Sequence, residues 1–342
     1  MRHSRGFSLI ELMIAVSLGL VAILAVGSVF IYGSRSYKED DKVSRMQDEL
    51  RFAMAQLSQD LEMAGFYAQI RNPVDDIEVD ASATISSTAG SGDCGPTTDG
   101  AATSATNNWV YRERRAAVFT VGNATAAQAN AAFPCIDTTE FYTGPAGAGT
   151  DVIAIKRLGG SPVTPSGDNV YLKTNGVQTT IFKGTGAGVE PLSGSIEAYD
   201  FKPVVWFLKT RPTDSGPLVP SLCRKQLMGG DPPAMTTECV AQGIEDMQFE
   251  FGFDANGNGI ADYFVEYGAM PTVTNLAKIT AVRVHLLARS SDPDQNYLNQ
   301  KTYTLASQTR GPFNDKFHRR AQSSIVLLRN PTNLQTPQEL PQ

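Results

Sequence analysis

The stretch Gly6-Phe7-Ser8-Leu9-Ile10-Glu11 opens an apolar run that continues to Tyr32 near the start of this 342-residue chain. Between Phe7 and Tyr32 there is no Lys, Arg or Asp, and Glu11 is the only formally charged side chain. As an α-helix rising about 1.5 Å per residue, the run would measure roughly 39 Å, whereas a bilayer hydrocarbon core is about 30 Å thick. The sequence therefore predicts a helix that crosses a membrane.

The flanks of this run separate it from an ordinary export signal. The six residues before Phe7 include two Arg, which favours a cytoplasmic N-terminus. A secretory signal has an apolar core of about 7–15 residues closed by a small-residue cleavage site, and this run is longer and has no clear A-x-A sequence. A carboxylate such as Glu11 costs about 2.5–3.5 kcal/mol within a membrane helix, so it usually has a partner. The alternative is a plain anchor that tolerates Glu11.

Residues 1–32 closely resemble the class III leader of type IV pilins and pseudopilins, in which a short basic leader and Gly-Phe precede Ser-Leu-Ile-Glu-Leu. The resemblance implies that a prepilin peptidase cleaves after Gly6 and N-methylates Phe7. It also implies that Glu11 pairs with the α-amino group of Phe7 of a neighbouring subunit. Opposite charges attract strongly in a low dielectric, so this pairing would remove the insertion penalty.

The charge balance and the cysteines indicate the compartment of the remaining chain. A net charge of −6 argues against a general nucleic-acid-binding surface, which needs a basic patch. The four cysteines fit two disulfides in an oxidising compartment such as the periplasm. The local pairing options are Cys94 with Cys135 and Cys223 with Cys239. A cysteine metal site is disfavoured because the chain has no C-x-x-C sequence.

A second apolar stripe follows the polar residues 33–41 and has the spacing of one helix face. Its members are Val43, Met46, Leu50, Met54, Leu57, Leu61 and Ala64. Gly65 stands where a C-terminal helix cap is expected. We predict one long helix over residues 7–64, in which Gly27 and Gly33 are candidate points of bending.

The chain is thereby divided into four predicted segments. Residues 1–6 form the leader, 7–32 the transmembrane and assembly helix, 33–66 its amphipathic continuation, and 67–342 a β-rich head. Within the head, residues 81–150 read as a variable region rich in small and polar side chains, with surface loops at Ser86–Gly100 and Gly122–Ala132. The basic cluster Arg112–Arg115 is expected to be a solvated strand or loop, the alternative being a partner contact.

Short β-type runs separated by Gly, Pro, Asn and Asp dominate from residue 151 onward. They are 151–156, 170–173, 179–182, 204–208, 247–253, 263–267, 279–287 and 324–328. A sheet face and the helix stripe can bury each other, which makes an antiparallel sheet behind the long helix the expected solution. The predicted fold class is α+β, with a long N-terminal helix packed on an antiparallel head.

One local pattern has the residue types of a calcium loop. Asp254, Asn256, Asn258 and Asp262 occupy positions 1, 3, 5 and 9, Gly259 occupies position 6, and Ile260 would offer its carbonyl at position 7. Val265 stands at position 12 in place of the bidentate Glu, so any affinity should be weak, at a Kd of about 10⁻⁴–10⁻³ M. A hairpin turn explains the same residues without a metal and is slightly favoured.

Motifs for catalysis or cofactor binding are missing from the sequence. The glycines at 184, 186 and 188 are followed by Val189-Glu190-Pro191, which does not fit a dinucleotide loop, and there is no Walker A, G-x-S-x-G or H-E-x-x-H sequence. His285 and His318 are the only histidines beyond the leader. We therefore expect no enzyme activity, no small-molecule substrate and no nucleic acid, with calcium as the one conceivable cofactor.

A second resemblance, to minor pilins of the PilW type, covers roughly residues 1–330. It is carried by the blocks 51–66, Gly243–Glu250, Val282–Arg289 and Arg319-Arg320 with Leu328-Arg329-Asn330. It implies a pilin fold and a low-abundance subunit that helps to initiate a type IV pilus with other minor pilins and the major pilin. Before assembly the protein would sit in the inner membrane with its head in the periplasm, and afterwards near the fibre tip. The alternatives are a minor pseudopilin of a type II secretion system and a membrane-anchored periplasmic enzyme.

Overall fold

The computed structural model describes residues 8–70, 77–85, 94, 110, 118–176, 178–185, 196–212, 218–266 and 278–330. The chain divides into two compact units, Met1–Arg45 and Met46–Gln342. The predicted processing residues Gly6 and Phe7, the cluster Arg112–Arg115, and Ser86–Gly100 apart from Cys94 lie outside the described residues.

Helix α1 extends from Leu9 to Glu62 without interruption at Gly27 or Gly33. In the first unit it is long and apolar enough to cross a membrane, and its described apolar side chains are exposed. The hydroxyl groups of Ser17 and Ser28 donate to the carbonyl oxygens of Ile14 and Ala25 at 2.9 and 2.8 Å. These two hydroxyls are thus satisfied within the helix, which lowers the cost of placing them in lipid.

In the second unit, α1 buries the predicted stripe from Met46 onward, whereas Val43 in the first unit is half-buried. Met46 and Met54 are at most 6 % exposed, and Leu50, Leu57 and Leu61 are fully buried. The helix ends at Glu62, and Gly65 adopts a φ of 70° while its N–H donates to the carbonyl of Lys156 at 3.0 Å. The predicted glycine stop is thereby confirmed, because a positive φ suits glycine at a helix C-terminus.

Within the described part of the head, the strands form sheets of eight, four and two strands. The eight-stranded sheet comprises β1 (Ile77–Val79), β2 (Val118–Ala124), β3 (Thr150–Leu158), β4 (Val170–Thr174), β5 (Thr179–Lys183), β6 (Glu197–Pro212), β7 (Leu218–Met228) and β8 (Ala234–Gln242). Its order is β1-β5-β4-β6-β3-β2, with β7 between β6 and β8. Only the β1–β5 pair is parallel among its described pairings.

The four-stranded sheet has the order β10-β9-β11-β14 and is antiparallel throughout. Its members are β9 (Ile244–Phe253), β10 (Tyr263–Glu266), β11 (Ile279–Arg289) and β14 (Arg319–Leu327). A hairpin of β12 (Tyr303–Leu305) and β13 (Gln308–Arg310) forms the two-stranded sheet. The long helix with predominantly antiparallel sheets confirms the predicted α+β class, and each of the eight predicted strand runs overlaps an observed strand.

The prediction of a loop over Gly122–Ala132 is wrong. Strand β2 continues to Ala124, and a short helix α2 occupies Ala126–Ala132. Thr125 caps this helix in a reciprocal capping box with Gln128, and Phe133 directly after it is fully buried. Two helix-end N–H groups are satisfied in this way, so a segment of small residues can hold a defined structure.

Candidate functional site

Glu11 lies in the first turn of α1, where its carboxylate meets the helix N-terminus. Its Oε2 accepts a hydrogen bond from the backbone N–H of Ser8 at 3.0 Å. A negative charge is favourable here because unpaired N–H groups and the helix dipole both place partial positive charge at this end. The chain itself therefore satisfies part of the Glu11 carboxylate.

Asp60 attaches the second half of α1 to the head. Its side chain is 6 % exposed, and Oδ1 accepts from Nη2 and Nε of Arg157 on β3 at 2.6 and 2.9 Å. Oδ2 accepts from the indole Nε1–H of the fully buried Trp206 on β6 at 2.9 Å. Both carboxylate oxygens are thus used, and both sheet partners come from strands that the helix covers. Sequence analysis did not identify this contact; an acid next to the apolar stripe was its one available signal.

Other contacts fix the two ends of this half-helix. The backbone N–H of Gln242 donates to Oε2 of Glu49 at 2.9 Å. Near the C-terminal end, Arg329 pairs with Glu62 at 3.0 Å, and the amide of Asn330 donates to the carbonyl of Ala64 at 3.3 Å. The helix is therefore attached to the head by polar contacts along its buried length as well as by its apolar stripe.

A buried polar centre joins β3, β9 and β13. Asp246 is fully buried and pairs with Arg310, with 2.5 Å between Oδ2 and Nε. Arg310 also donates to the carbonyl of Gly149 at 3.0 Å. Burial raises the pKa of Asp246, although the ion pair with Arg310 opposes this effect.

Asp151 is the second acid of this centre. Its Oδ1 accepts from the N–H of Asn123 at 2.8 Å and its Oδ2 from the N–H of Phe249 at 2.7 Å. Burial raises the pKa of Asp151 to about 7, and these two hydrogen bonds only partly counteract that effect. The side chain thus bridges β2 and β9, which belong to different sheets.

A second ion network anchors the start of β14. Arg319 is 2 % exposed in its side chain and pairs with Glu245 and Asp315, each at 2.6 Å. Its guanidinium lies 3.6 Å from the ring centroid of Phe313. Burial lowers the pKa of Arg319, but the hydrogen bonds to Asp315 and Glu245 outweigh it and raise the pKa overall. Arg319 is therefore a structural cation rather than one available to a ligand.

Glu250 on β9 is the centre of a chain of hydrogen bonds across three strands. Its Oε2 lies 3.0 Å from Nη1 of Arg283 and 2.8 Å from Nε2 of His285, both on β11. Nδ1 of His285 in turn lies 2.7 Å from the hydroxyl of Ser323 on β14. Hydroxyl, imidazole and carboxylate follow one another in the order of a catalytic triad. The sequence did not predict this grouping, because the three residues are far apart in the chain.

Three observations favour a structural role for this chain of side chains. Arg283 shares the carboxylate oxygen that His285 uses, and the guanidinium also stacks 3.9 Å from the ring centroid of Phe264. Ser323 lies within a regular strand, without the tight turn that exposes a catalytic hydroxyl in hydrolases. We therefore interpret the row as cross-strand pairing.

A cavity of about 280 Å³ lies beside Asp60 and is lined by residues of β3, β4, β6 and β7. Its cations are Arg157, Lys202 and Arg224. Each of them is in an ion pair, with Asp60, Asp200 and Glu238 respectively. The positive charge of the lining is thus already compensated, and the cavity gives no specific support for an anionic ligand.

All four cysteines are in disulfides. Cys94 is bonded to Cys135, with their Cα atoms 4.8 Å apart, and Cys223 is bonded to Cys239. The second bond connects the adjacent strands β7 and β8 at paired positions. The first ties Cys94 to the segment that follows α2, and Cys94 and Cys135 are fully buried. These are the local pairing options that the sequence offered.

The predicted calcium loop forms the turn between β9 and β10, and its oxygens accept hydrogen bonds from the loop itself. Asp254 Oδ1 accepts from the N–H of Gly257 at 2.6 Å and of Asn258 at 3.2 Å, and Oδ2 from that of Gly259 at 2.6 Å. Burial would raise the pKa of Asp254, but these backbone hydrogen bonds lower it overall.

The remaining side-chain oxygens of this loop are used in the same way. Asp262 accepts from Ala255 N at 2.8 Å and Asn256 Nδ2 at 2.9 Å. Oδ1 of Asn256 accepts from the N–H of Asn258 at 3.1 Å, and Oδ1 of Asn258 from that of Ile260 at 2.8 Å. Among the described residues, no group of three His, Cys, Asp or Glu side chains could hold a metal ion. The hairpin-turn interpretation accounts for each of these contacts.

Comparisons with known proteins match two segments of the chain. Residues 1–27 match the family described as a prokaryotic N-terminal methylation motif, which confirms the leader resemblance. Residues 205–330, from the middle of β6 to the end of the described chain, match the family described as type IV pilus-assembly protein W. The predicted resemblance to PilW-type pilins is thereby confirmed, with the PilW match itself covering residues 205–330. The comparison with curated proteins gave no match.

Among solved structures, a type IV-like pilin from Thermus thermophilus aligns with 84 % of this chain and 97 % of its own, at 13 % identity. The TM-score is 0.34, so the alignment adds nothing to the description of the fold given above.

Proposed function

We propose that this protein is a minor pilin that takes part in the initiation and assembly of a type IV pilus. The observation that carries the proposal is the methylation motif over residues 1–27, which extends into the first half of a helix that is apolar and exposed there. The PilW-type segment over residues 205–330 supports a role in pilus assembly. The protein acts structurally, through docking of its helix and head.

In this proposal the prepilin peptidase cleaves between Gly6 and Phe7 and methylates the new N-terminus, while the helix holds the protein in the inner membrane. The charged α-amino group of a neighbour then approaches Glu11. The hydrogen bond from Ser8 uses one acceptor position of Oε2, so the carboxylate keeps acceptor positions, including both on Oε1, for the incoming amine. Electrostatic attraction in lipid fixes the axial register of the two helices, because any other register leaves both charges unpaired.

The head is attached to the second half of the helix. The Asp60 contacts with Arg157 and Trp206 attach the helix to β3 and β6, so the head follows the helix when the subunit leaves the membrane. We place the head first in the periplasm and later near the fibre tip, in contact with other minor pilins and the major pilin. This placement rests on the resemblance of the sequence to that class.

The mass of the mature N-terminus tests the proposal. Full-length protein isolated from its membrane should begin with N-methylated Phe7, and replacing Gly6 with Leu should leave uncleaved precursor. A mature protein that begins at Met1, or beyond the apolar run, would refute the proposed processing. A matched control is Gly19→Leu, which lies inside the helix where a Cβ meets no atom within 4 Å and which should be processed normally.

A minor pseudopilin of a type II secretion system is the second candidate, because it would share the leader and the long helix. Deletion of the gene separates the two functions. Loss of surface fibres and twitching motility with normal protein secretion supports the pilus role, whereas loss of secretion with normal fibres supports the pseudopilin role.

A further inference from the structure

The outer edge of β14 has backbone N–H and C=O groups with few hydrogen-bond partners among the described residues. The strand is last in the order β10-β9-β11-β14 and pairs with β11 over nine residues without a register shift. In an antiparallel pair, about half of the N–H and C=O groups of an edge strand point away from the partner. From described residues outside β11, the backbone of β14 receives one hydrogen bond, from the Tyr303 hydroxyl to the carbonyl of Arg319 at 3.4 Å.

Most of the other described sheet edges are short or irregular, which discourages strand addition. Strands β1 and β10 are three and four residues long, and short edges are poor templates. Strand β2 is interrupted by a register shift between Val121 and Ala124. Strand β8 matches β14 in length and also carries charge, but it has none of the exposed large apolar side chains that β14 has. Strand β14 has nine residues, no Pro and no Lys. Natural proteins rarely leave such an edge uncovered.

The side chains of β14 add an apolar pair to this edge. Ile325 and Leu327 are 53 % and 65 % exposed, and they share one face because side chains alternate along a strand. Val326 between them is buried on the opposite face. An incoming strand would place its own alternate side chains beside Ile325 and Leu327 and remove apolar surface from water.

Charge specifies the partner further. The protein has a net charge of −6, yet residues 319–329 contain three Arg and no acid. Glu245 and Asp315 neutralise Arg319, and Glu62 pairs with Arg329. Arg320 is exposed and forms no ion pair with any described residue. A partner segment that carries an acid at this position would complement it.

We propose that the edge of β14 binds an extended strand of another polypeptide, antiparallel to β14. Its backbone pairs with the free N–H and C=O groups, two apolar residues lie opposite Leu327 and Ile325, and an acidic residue lies opposite Arg320. The matching partner pattern is apolar-x-apolar-x₄-acid. A second copy of β14 does not fit, because it has no acid to place opposite Arg320. The inference does not depend on the pilus role.

Photo-crosslinking in the cells that produce the full-length protein tests this site. p-Benzoylphenylalanine is placed at position 325 or 327, and the cross-linked peptides are identified by mass spectrometry. Leu298, which is 53 % exposed outside β14, is the matched control position. We expect positions 325 and 327 to link to one segment of another polypeptide, at residues two apart and in reverse order. That spacing is specific to an antiparallel strand.

Substitutions then test the apolar and charged contacts. Ile325→Lys should reduce the cross-link from position 327 at least tenfold, and Leu298→Lys should not. Arg320→Glu should reduce it about tenfold, and reversing the charge of the acid in the partner segment should restore it. All of these side chains are exposed, so thermal denaturation of each variant should match the wild type.

Four outcomes would overturn the proposal. Cross-linked residues spaced three or four apart would indicate a helix as the partner. Links to residues 331–342 of the same chain would identify an internal occupant, and links to a second copy would identify self-association. Cross-linking no stronger than at position 298 would show that the edge binds nothing in the cell.

Discussion

Replacing Asp60 with Ala should destabilise the head strongly, because one side chain satisfies two buried partners from different strands. The variant leaves the guanidinium of Arg157, whose side chain is 14 % exposed, without its carboxylate. It also leaves the indole N–H of the fully buried Trp206 without an acceptor. Asp60 thus affects an ion pair and a charge-assisted hydrogen bond at once.

The size of the effect follows from these two losses. Breaking a buried ion pair by removing one partner costs about 3–5 kcal/mol, since an uncompensated charge remains. An unsatisfied buried donor costs about 1–3 kcal/mol. Because the Arg157 side chain is partly exposed, water can solvate it in the variant, and we take the lower end of both ranges. Asp60→Ala should then lower the free energy of unfolding by about 4 kcal/mol, about 3 from the ion pair and about 1 from the indole N–H.

The measurement is urea denaturation of the full-length, detergent-solubilised protein with its disulfides intact, followed by Trp fluorescence. Asp48→Ala is the matched control, because Asp48 lies on the same helix with its side chain 71 % exposed and pairs with Arg51 at 3.6 Å. Exposed pairs contribute about 0–1 kcal/mol, so the control should lie close to the wild type.

A double variant makes the reasoning more specific. Asp60→Leu with Arg157→Met removes both charges and replaces them with apolar volume, which is often nearly neutral for a buried pair. We expect it to recover most of the loss and to retain the deficit from Trp206. Neutral surface substitutions change the free energy of unfolding by roughly 0.5 kcal/mol. If the free energies of unfolding of Asp60→Ala and Asp48→Ala differ by no more than that, the Asp60 contact does not hold helix and head together.

Three further outcomes are expected. Burial raises the pKa of Asp151 to about 7 from about 4 in the unfolded chain, so the contribution of this group to stability falls as pH rises from 4 to 7. Asp151→Asn should therefore flatten the pH dependence of the free energy of unfolding, measured by urea denaturation, over that range. An unchanged slope would contradict the raised pKa of Asp151. Glu11→Ala should be cleaved normally yet enter fibres poorly, as immunoblots of membranes and sheared fibres would show, and wild-type incorporation would remove the docking role. Millimolar Ca²⁺ should leave the Tm unchanged, because the 254–262 turn already satisfies its own oxygens; a raised Tm, absent in Asp254→Ala, would instead establish a calcium site.

The long helix and most strands were predictable because their signals are local and repeat along the chain. The stripe from Met46 to Leu61 has helical spacing, and each of its leucines is buried as that spacing requires. In β9 the apolar residues Met247, Phe249, Phe251 and Phe253 recur at every second position, which is the period of a strand, and in β11 the β-branched Val282 and Val284 do the same. Strand β7 was missed because Pro220, Arg224 and Lys225 interrupt its apolar pattern. Its pairing between β6 and β8 is what stabilises it, and pairing across the sheet has no local signature.

The error at Gly122–Ala132 has a different cause. The segment has few long apolar side chains, and a loop was predicted for that reason. Thr125 and Gln128 have the capping-box spacing, however, and could have indicated a helix start. The polar contacts of the head could not be predicted from the sequence, because Asp60 and Arg157 are 97 residues apart and Asp246 and Arg310 are 64 apart. Only the fold decides which of many acids meets which Arg.

The acidic block 243–250 shows what the PilW-type resemblance consists of in physical terms. Its three acids, Glu245, Asp246 and Glu250, pair with Arg319, Arg310 and Arg283. Two of these Arg residues come from the chain beyond β11 and the third from β11 itself, so one strand organises the β9–β14 half of the head. A site for a ligand would leave some of these charges available, whereas here each is used by the protein itself. The block therefore defines the scaffold, and the proposed strand addition lies outside it, at the edge of β14.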